Sequence, residues 1–227
     1  TVIQDSHAEY RKDYPMNRLL QGDVGSGKTL VAILVTALAV GNNVQVAIMV
    51  PTEVLARQHY DSFKLQLDKA NIRCELILGN MKKNERSNIL AGLEDGSISV
   101  VIGTHALIQK DVLFNNLGLV VIDEQHRFGV NQRANLIDKG KSPHCLAMTA
   151  TPIPRTLSIT YYGDMDISII DELPLNRIPV VTRVVEPDRL SNVYDFIRTE
   201  VSSGRQVIVV YPLVEESEKL DLAAAVE

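Results

Sequence analysis

Gly22-Asp23-Val24-Gly25-Ser26-Gly27-Lys28-Thr29 fits the pattern G-x-x-x-x-G-K-[ST] without a mismatch. That pattern describes a loop that holds polyphosphate. Its glycines let backbone N–H groups converge on phosphate oxygens, and the helix behind it adds a favourable dipole and free donors. Lys28 would neutralise the β- and γ-phosphates, and the Thr29 hydroxyl would ligate Mg²⁺. About a hundred residues on, the apolar run Leu119-Val120-Val121-Ile122 ends in two carboxylates, Asp123 and Glu124. Asp123 would hold Mg²⁺ through water, while Glu124 would orient or deprotonate an attacking water. Together these residues predict phosphoryl transfer from ATP–Mg²⁺, with Lys28 and Glu124 as the catalytic pair. A glycine turn with a surface lysine, or carboxylates capping an exposed strand end, would each explain one segment but not their pairing.

Such groups need rigid elements to hold them. Arg18–Gln21, Val44–Val50, Cys74–Leu78, Ser99–Gly103, Gly118–Asp123 and Cys145–Thr149 are short apolar runs expected to be buried strands. Helix-like stretches lie between them: Lys28–Val40, a segment N-capped by Thr52 and running to about Lys69, Asn84–Leu93 and Val130–Lys139. The alternation argues a parallel α/β sheet sandwiched by helices. Open sheets of this kind bind ligands beyond the carboxyl ends of their strands, where both motifs fall.

Pro174 and Pro179 interrupt the pattern across Asp171–Pro179, which reads as a linker. A strand (Val180–Val185), a helix (about Leu190–Ser203), a strand (Gln206–Tyr211) and an acidic, Ala-rich tail are expected after it. Residues 1–173 therefore read as one domain, and residues 174–227 as the incomplete start of a second.

The 227 residues are 45% hydrophobic and 22% charged, which excludes a disordered or fibrous chain. The net charge of −5 argues against a nucleic-acid partner only when averaged. Residues 1–185 carry 19 basic and 19 acidic side chains, and residues 186–227 carry 4 and 9, so the deficit lies entirely in the last segment. Cys74 and Cys145 sit in apolar runs, as buried free thiols of a reducing compartment do. No run is long enough to span a bilayer, and no Cys/His spacing suggests zinc. Thr1 is not an initiator methionine. The expectation is a soluble cytoplasmic protein of which this is a piece, with no membrane partner.

Gln125-His126 extend the acidic pair to Asp-Glu-Gln-His, and with that run the chain resembles the superfamily-two helicases and translocases. Pro51-Thr52-Glu53 resembles their motif Ia, Gly103-Thr104-His105 motif Ib, and Thr149-Ala150-Thr151 motif III. More narrowly, the runs Leu20–Thr29, Asp123–Val130, Thr149–Thr156, Tyr162–Asp164 and Ile170–Pro174 are similar to the RecG family of bacterial ATP-dependent DNA helicases. The transcription-repair coupling translocases are similar around Arg127–Val130 and Pro152–Arg155, but they usually carry Glu in place of Gln125 and lack the Asp-Glu-Leu-Pro run.

The resemblance implies a RecA-like P-loop NTPase domain followed by the start of a second, with ATP and Mg²⁺ as cofactors and branched DNA (replication forks, Holliday junctions) as partner. It implies that Gln125, His126, Thr149 and Thr151 couple the ATP site to DNA. It also implies DNA contacts near Thr52, Arg57, Thr104 and His105, where helix N-termini and backbone amides can grip phosphates without net positive charge. Arg155 either contacts phosphate or braces its loop. Lys82, Lys83 and Arg86 read as a solvated helix start, and Phe63 and Leu67 as core packing. Such motors complete their ATP site with arginines from later motifs of the second domain, so the piece alone is expected to bind nucleotide and turn it over weakly or not at all. The wedge domain and the remainder of the second motor domain would complete the polypeptide. A P-loop kinase or nucleotide switch is the competing class, but neither needs the Asp-Glu-Gln-His run.

Overall fold

The computed structural model describes residues 14–151, 165–171 and 180–210. Seven strands form one sheet in the order β3-β4-β2-β5-β6-β1-β7. They are β1 (Asn17–Gly22), β2 (Gln45–Met49), β3 (Cys74–Ile77), β4 (Val100–Gly103), β5 (Leu117–Ile122), β6 (His144–Thr149) and β7 (Asp166–Ile170). Every neighbouring pair is parallel. Among the described residues, four helices lie between them: α1 (Lys28–Gly41), α2 (Glu53–Leu67), α3 (Lys83–Glu94) and α4 (Val130–Ile137).

Side-chain alternation along the strands produces two cores. Val46, Ile48, Ile102, Leu119 and Val121 pack with Ala32 and Val35 of α1 and Phe63 and Leu67 of α2. Ala47, Met49, Val101, Val120 and Ile122 pack with Ile89 and Leu93 of α3 and Leu136 of α4. All five residues of β2 and all four of β4 are buried, because helices cover both faces. Phe63 and Leu67 are core residues, as their spacing predicts.

The six strands expected from the sequence are present within a residue or two at their ends. The seventh, β7, pairs with β1 from Arg18↔Asp166 to Gly22↔Ile170. It was not predicted, because Asp-Ile-Ser-Ile-Ile is a half-exposed edge strand rather than an unbroken apolar run. Arg18, buried beneath it, donates through Nη1 to Ser168 Oγ. Helix α1 runs one residue past its expected end, and the left-handed residue that follows it is Asn43 (φ 59°).

The chain divides into two compact units, Thr1–Arg177 and Ile178–Glu227. In the second, a 3₁₀ turn (Pro187–Arg189) leads into α5 (Leu190–Ser202), close to the expected helix. Two expected strands are corrected. Val180–Val185 and the described part of Gln206–Tyr211 have no regular structure and are exposed. Apolar, β-branched sequence makes a strand only where another strand supplies ladder hydrogen bonds, and the described residues of this unit contain none. Pro152–Thr156 with Arg155, Tyr162–Asp164, Glu172–Pro179 and the acidic tail lie outside the described residues.

Candidate ATP and DNA sites

Strands β1, β6 and β5 lie side by side, and each hands its carboxyl end to a predicted motif. Gln21 pairs with Thr149 and Ile122 with Ala147, so the phosphate loop after β1 and Asp123-Glu124 after β5 flank the end of β6. Two strand spacings separate the two motifs, about 10 Å. That gap fits a metal-bound triphosphate.

The loop Asp23–Gly27 leaves β1 and enters α1 with Gly25 at φ 80° and Gly27 at φ 97°. The left-handed conformations turn successive N–H groups toward one side. Gly22 is favoured for a different reason: a Cβ there would stand 2.5 Å from Ser26 Oγ and 3.1 Å from Ile170 Cβ. Lys28 Nζ donates to the carbonyl oxygens of Gly22 at 2.7 Å and Asp23 at 2.8 Å, so the ammonium lies across the mouth of the loop. Val24 N donates to Asp23 Oδ1, and Ser26 Oγ is buried with no hydrogen-bond partner. Thr29 follows on the first turn of α1, half-buried.

Asp123 is 9% exposed. Its Oδ1 accepts from Glu124 N at 3.0 Å, and its Oδ2 lies 2.9 Å from His59 Nε2. Glu124 adopts φ 48°, ψ 50°, a left-handed conformation that a non-glycine residue holds at a cost of about 1–3 kcal/mol. Its Oε2 is buried and accepts no hydrogen bond, and His126 Nδ1 is 3.5 Å away. A carboxylate oxygen that accepts no hydrogen bond, held at a strand end by a strained backbone, suits an activator of water.

Among the described residues, no cluster of three or more His, Cys, Asp and Glu side chains could hold a metal alone. The Thr29 hydroxyl and the Asp123 carboxylate are hard oxygen donors. They fit Mg²⁺, which is usually bound by one or two carboxylates together with substrate phosphates and retained waters.

The residues expected to couple ATP to DNA separate into three environments. Gln125 is 1% exposed, and its Oε1 accepts from Arg133 Nη1 of α4 at 3.2 Å, so it faces the interior. His126 is on the surface, with Glu124 as its polar contact. Thr149 and Thr151 bond each other, Oγ1 to Oγ1 at 2.8 Å, and Thr151 N donates to Thr149 Oγ1 at 3.2 Å. Among the described residues, no hydrogen bond joins His126 to the two threonines.

Of the expected DNA contacts, Thr52, Arg57 and His105 are exposed. Thr52 caps α2, accepting from Leu55 N at 3.3 Å. Thr104 is 2% exposed with a buried Oγ1, because it follows the wholly buried β4, so a phosphate contact there would run through backbone amides and not through its hydroxyl. Arg86 belongs to a structural contact, paired in bidentate fashion with Asp111 and bonded to Gln109. Sequence reasoning missed His59. The available signal was a histidine on the buried stripe Ala56, His59, Phe63, Leu67.

A model of the DEAD/DEAH box helicase family matches residues 3–159, more than two thirds of the sequence. The chain belongs to that family. It is 53% identical over 226 residues to the ATP-dependent DNA helicase RecG of Thermotoga maritima, covering 98% of this chain and 29% of that protein. It is 52% identical over 228 residues to RecG of Aquifex aeolicus, covering 100% of this chain and again 29% of the relative. Among solved structures, RecG bound to a three-way DNA junction superposes with a TM-score of 0.80 at 48% identity, over 93% of this chain and 28% of that one. The chain thus spans under a third of the length of these relatives. Their likeness establishes a RecA-like helicase fold with helices flanking the parallel sheet.

Proposed function

We propose that this chain is the ATP-binding part of a bacterial RecG-like DNA helicase or translocase, which uses ATP hydrolysis to remodel branched DNA in recombination and repair. The observation that carries the proposal is the placement of the phosphate loop and Asp123-Glu124 on either side of β6, in a helicase-family chain about half identical to RecG along its length. That identity favours the branched-DNA family over the transcription-repair coupling translocases. Residues 1–173 serve as the first motor domain, and residues 174–227 as the linker and the opening of the second. The bacterial relatives and the two buried free cysteines favour the cytoplasm. Among the described residues no helix is long and apolar enough to cross a membrane.

The backbone of Gly22–Thr29 grips the phosphates of ATP, and the Lys28 ammonium moves from loop carbonyls to phosphate oxygens. Thr29 and Asp123 hold Mg²⁺, which when bound offsets the charge that builds on the phosphates. Glu124 orients and deprotonates the attacking water. Thr52, Arg57, His105 and the amides beside Thr104 line a phosphate track for DNA. Thr149 and Thr151, at the end of the strand between the two halves of the ATP site, transmit changes there toward that track, with Gln125 and His126 on its other side.

The test is ATP hydrolysis by the intact protein with forked, single-stranded and duplex DNA. Lys28→Ala and Glu124→Gln should each abolish DNA-stimulated turnover, and forked DNA should stimulate the parent most. Unchanged turnover in either variant overturns the role given to that residue. Equal stimulation by unbranched duplex overturns the branched-DNA assignment.

A further inference from the structure

His59 sits on α2 seven residues after Thr52, two helical turns or about 10 Å along the axis. It is 7% exposed, in a stripe otherwise made of Ala56, Phe63 and Leu67. Its Nε2 lies 2.9 Å from Asp123 Oδ2. An ionised carboxylate only accepts, so Nε2 carries the proton and donates. The Phe63 ring lies beside the imidazole, 6.0 Å away between centroids and tilted by 43°. Nδ1 is buried without a hydrogen-bond partner. An apolar side chain would fill this stripe without burying a polar atom unpaired, so packing alone does not explain a histidine here.

What the histidine does supply is a second donor to Asp123. The first, Glu124 N, comes from the same turn as the carboxylate. The second comes from the helix that opens at Thr52 and carries the exposed Arg57. We propose that His59 is a positioning residue: it fixes the Asp123 carboxylate for the divalent cation and ties that orientation to α2, the helix at the DNA track. Partners of this kind set the orientation and basicity of metal ligands, and losing one typically weakens metal affinity 10–100-fold. The proposal rests on the reading of Asp123 as the Mg²⁺ carboxylate.

The test is equilibrium binding of a fluorescent N-methylanthraniloyl-ATP to the intact protein, in MgCl₂ and in EDTA, with no turnover needed. His59→Gln keeps an amide donor within reach of Asp123. His59→Met has the same length and no donor, and suits an apolar stripe. His59→Met should lose about tenfold of the affinity gained from Mg²⁺, His59→Gln should stay within about twofold of the parent, and binding in EDTA should be equal in all three. His59→Met leaves Asp123 Oδ2 without its histidine donor, so it should melt somewhat below the parent on either reading, and His59→Leu provides a second apolar variant. A merely structural role predicts a lower melting temperature with the Mg²⁺ dependence intact, and that intact dependence overturns the proposal. So does any result in which Gln and Met behave alike. Asp123→Asn and Lys28→Ala separate the two levels. If both bind as the parent does, the ATP-site reading falls and the role of His59 with it; if both lose binding while His59→Met does not, the His59 proposal falls alone.

Discussion

Gly27 offers a substitution whose cost comes from the backbone alone. It stands at φ 97°, ψ 10° immediately before α1, and a Cβ added there would meet no atom within 4 Å. No side-chain clash opposes alanine at this position. What opposes it is the left-handed backbone, which costs an L-residue about 1–2 kcal/mol. For a chain of this size each kcal/mol lowers the melting temperature by about 2–4 °C, so Gly27→Ala should melt about 2–8 °C below the parent in the nucleotide-free state. Asparagine tolerates this region better than alanine, and β-branched residues tolerate it worst. The melting order should therefore be parent, Gly27→Asn, Gly27→Ala, Gly27→Val. Relaxing the strain requires turning the loop amides away from phosphate, so ATP affinity should also fall in Gly27→Ala, by about tenfold if some 1.4 kcal/mol is at stake. Thermal melting and fluorescent-nucleotide binding read the two effects. A ranking by side-chain volume, with asparagine worse than alanine, or a melting point unchanged in Gly27→Ala, would refute the backbone argument.

Burial pushes the thiols of Cys74 and Cys145 up to about 12 and about 11, so neither should react with a thiol reagent at pH 8 until denaturant is added, when both should. Because the folded state resists forming these thiolates, stability should hold below the unfolded thiol value near 9 and decline as pH rises from about 9 toward 11–12; a denaturation midpoint flat across that interval contradicts the assignment. Gly103→Ala would place a Cβ 2.6 Å from Ile77 O, a sheet carbonyl that cannot rotate aside, and should destabilise the chain by about 1–3 kcal/mol in a urea titration.

The elements legible in the sequence were those whose physics is local or repeated. Buried parallel strands are unbroken apolar runs, which exposed six of seven. The phosphate loop declares itself through glycines placed where only glycine is unstrained. β7 escaped because an edge strand needs apolar residues on only part of its surface, and Asp166 and Ser168 break the run. The strands expected at Val180–Val185 and Gln206–Tyr211 had the right residues but, among the described residues, no partner strand, and pairing is not a property of a segment alone. Within the site, backbone-driven features were visible, while side-chain environments were not. Nothing in Gly103-Thr104-His105 says that the threonine is buried and the histidine exposed. Nor does the spacing Ala56, His59, Phe63 distinguish a core histidine from one that reaches a carboxylate on another element.

The position of β6 explains why both charges of the site remain available to a ligand. Had β5 been the direct neighbour of β1, one strand spacing of about 4.8 Å would bring Asp123 within reach of a side chain as long as Lys28. The two would then satisfy each other, and a phosphate or cation would have to break a partly buried ion pair before it bound. With β6 interposed, Lys28 Nζ rests on the carbonyls of Gly22 and Asp23, and Asp123 rests on His59 and the Glu124 amide. The ammonium is thereby held by neutral acceptors, and among the described residues the carboxylate is held by donors other than lysine or arginine. The same strand ends in Thr149, whose hydroxyl meets Thr151 between the two halves. Thr149 is wholly buried and Thr151 is exposed, so the strand that keeps the charges apart ends in a hydroxyl pair running from the interior to the surface between them, the place that the proposed coupling role requires.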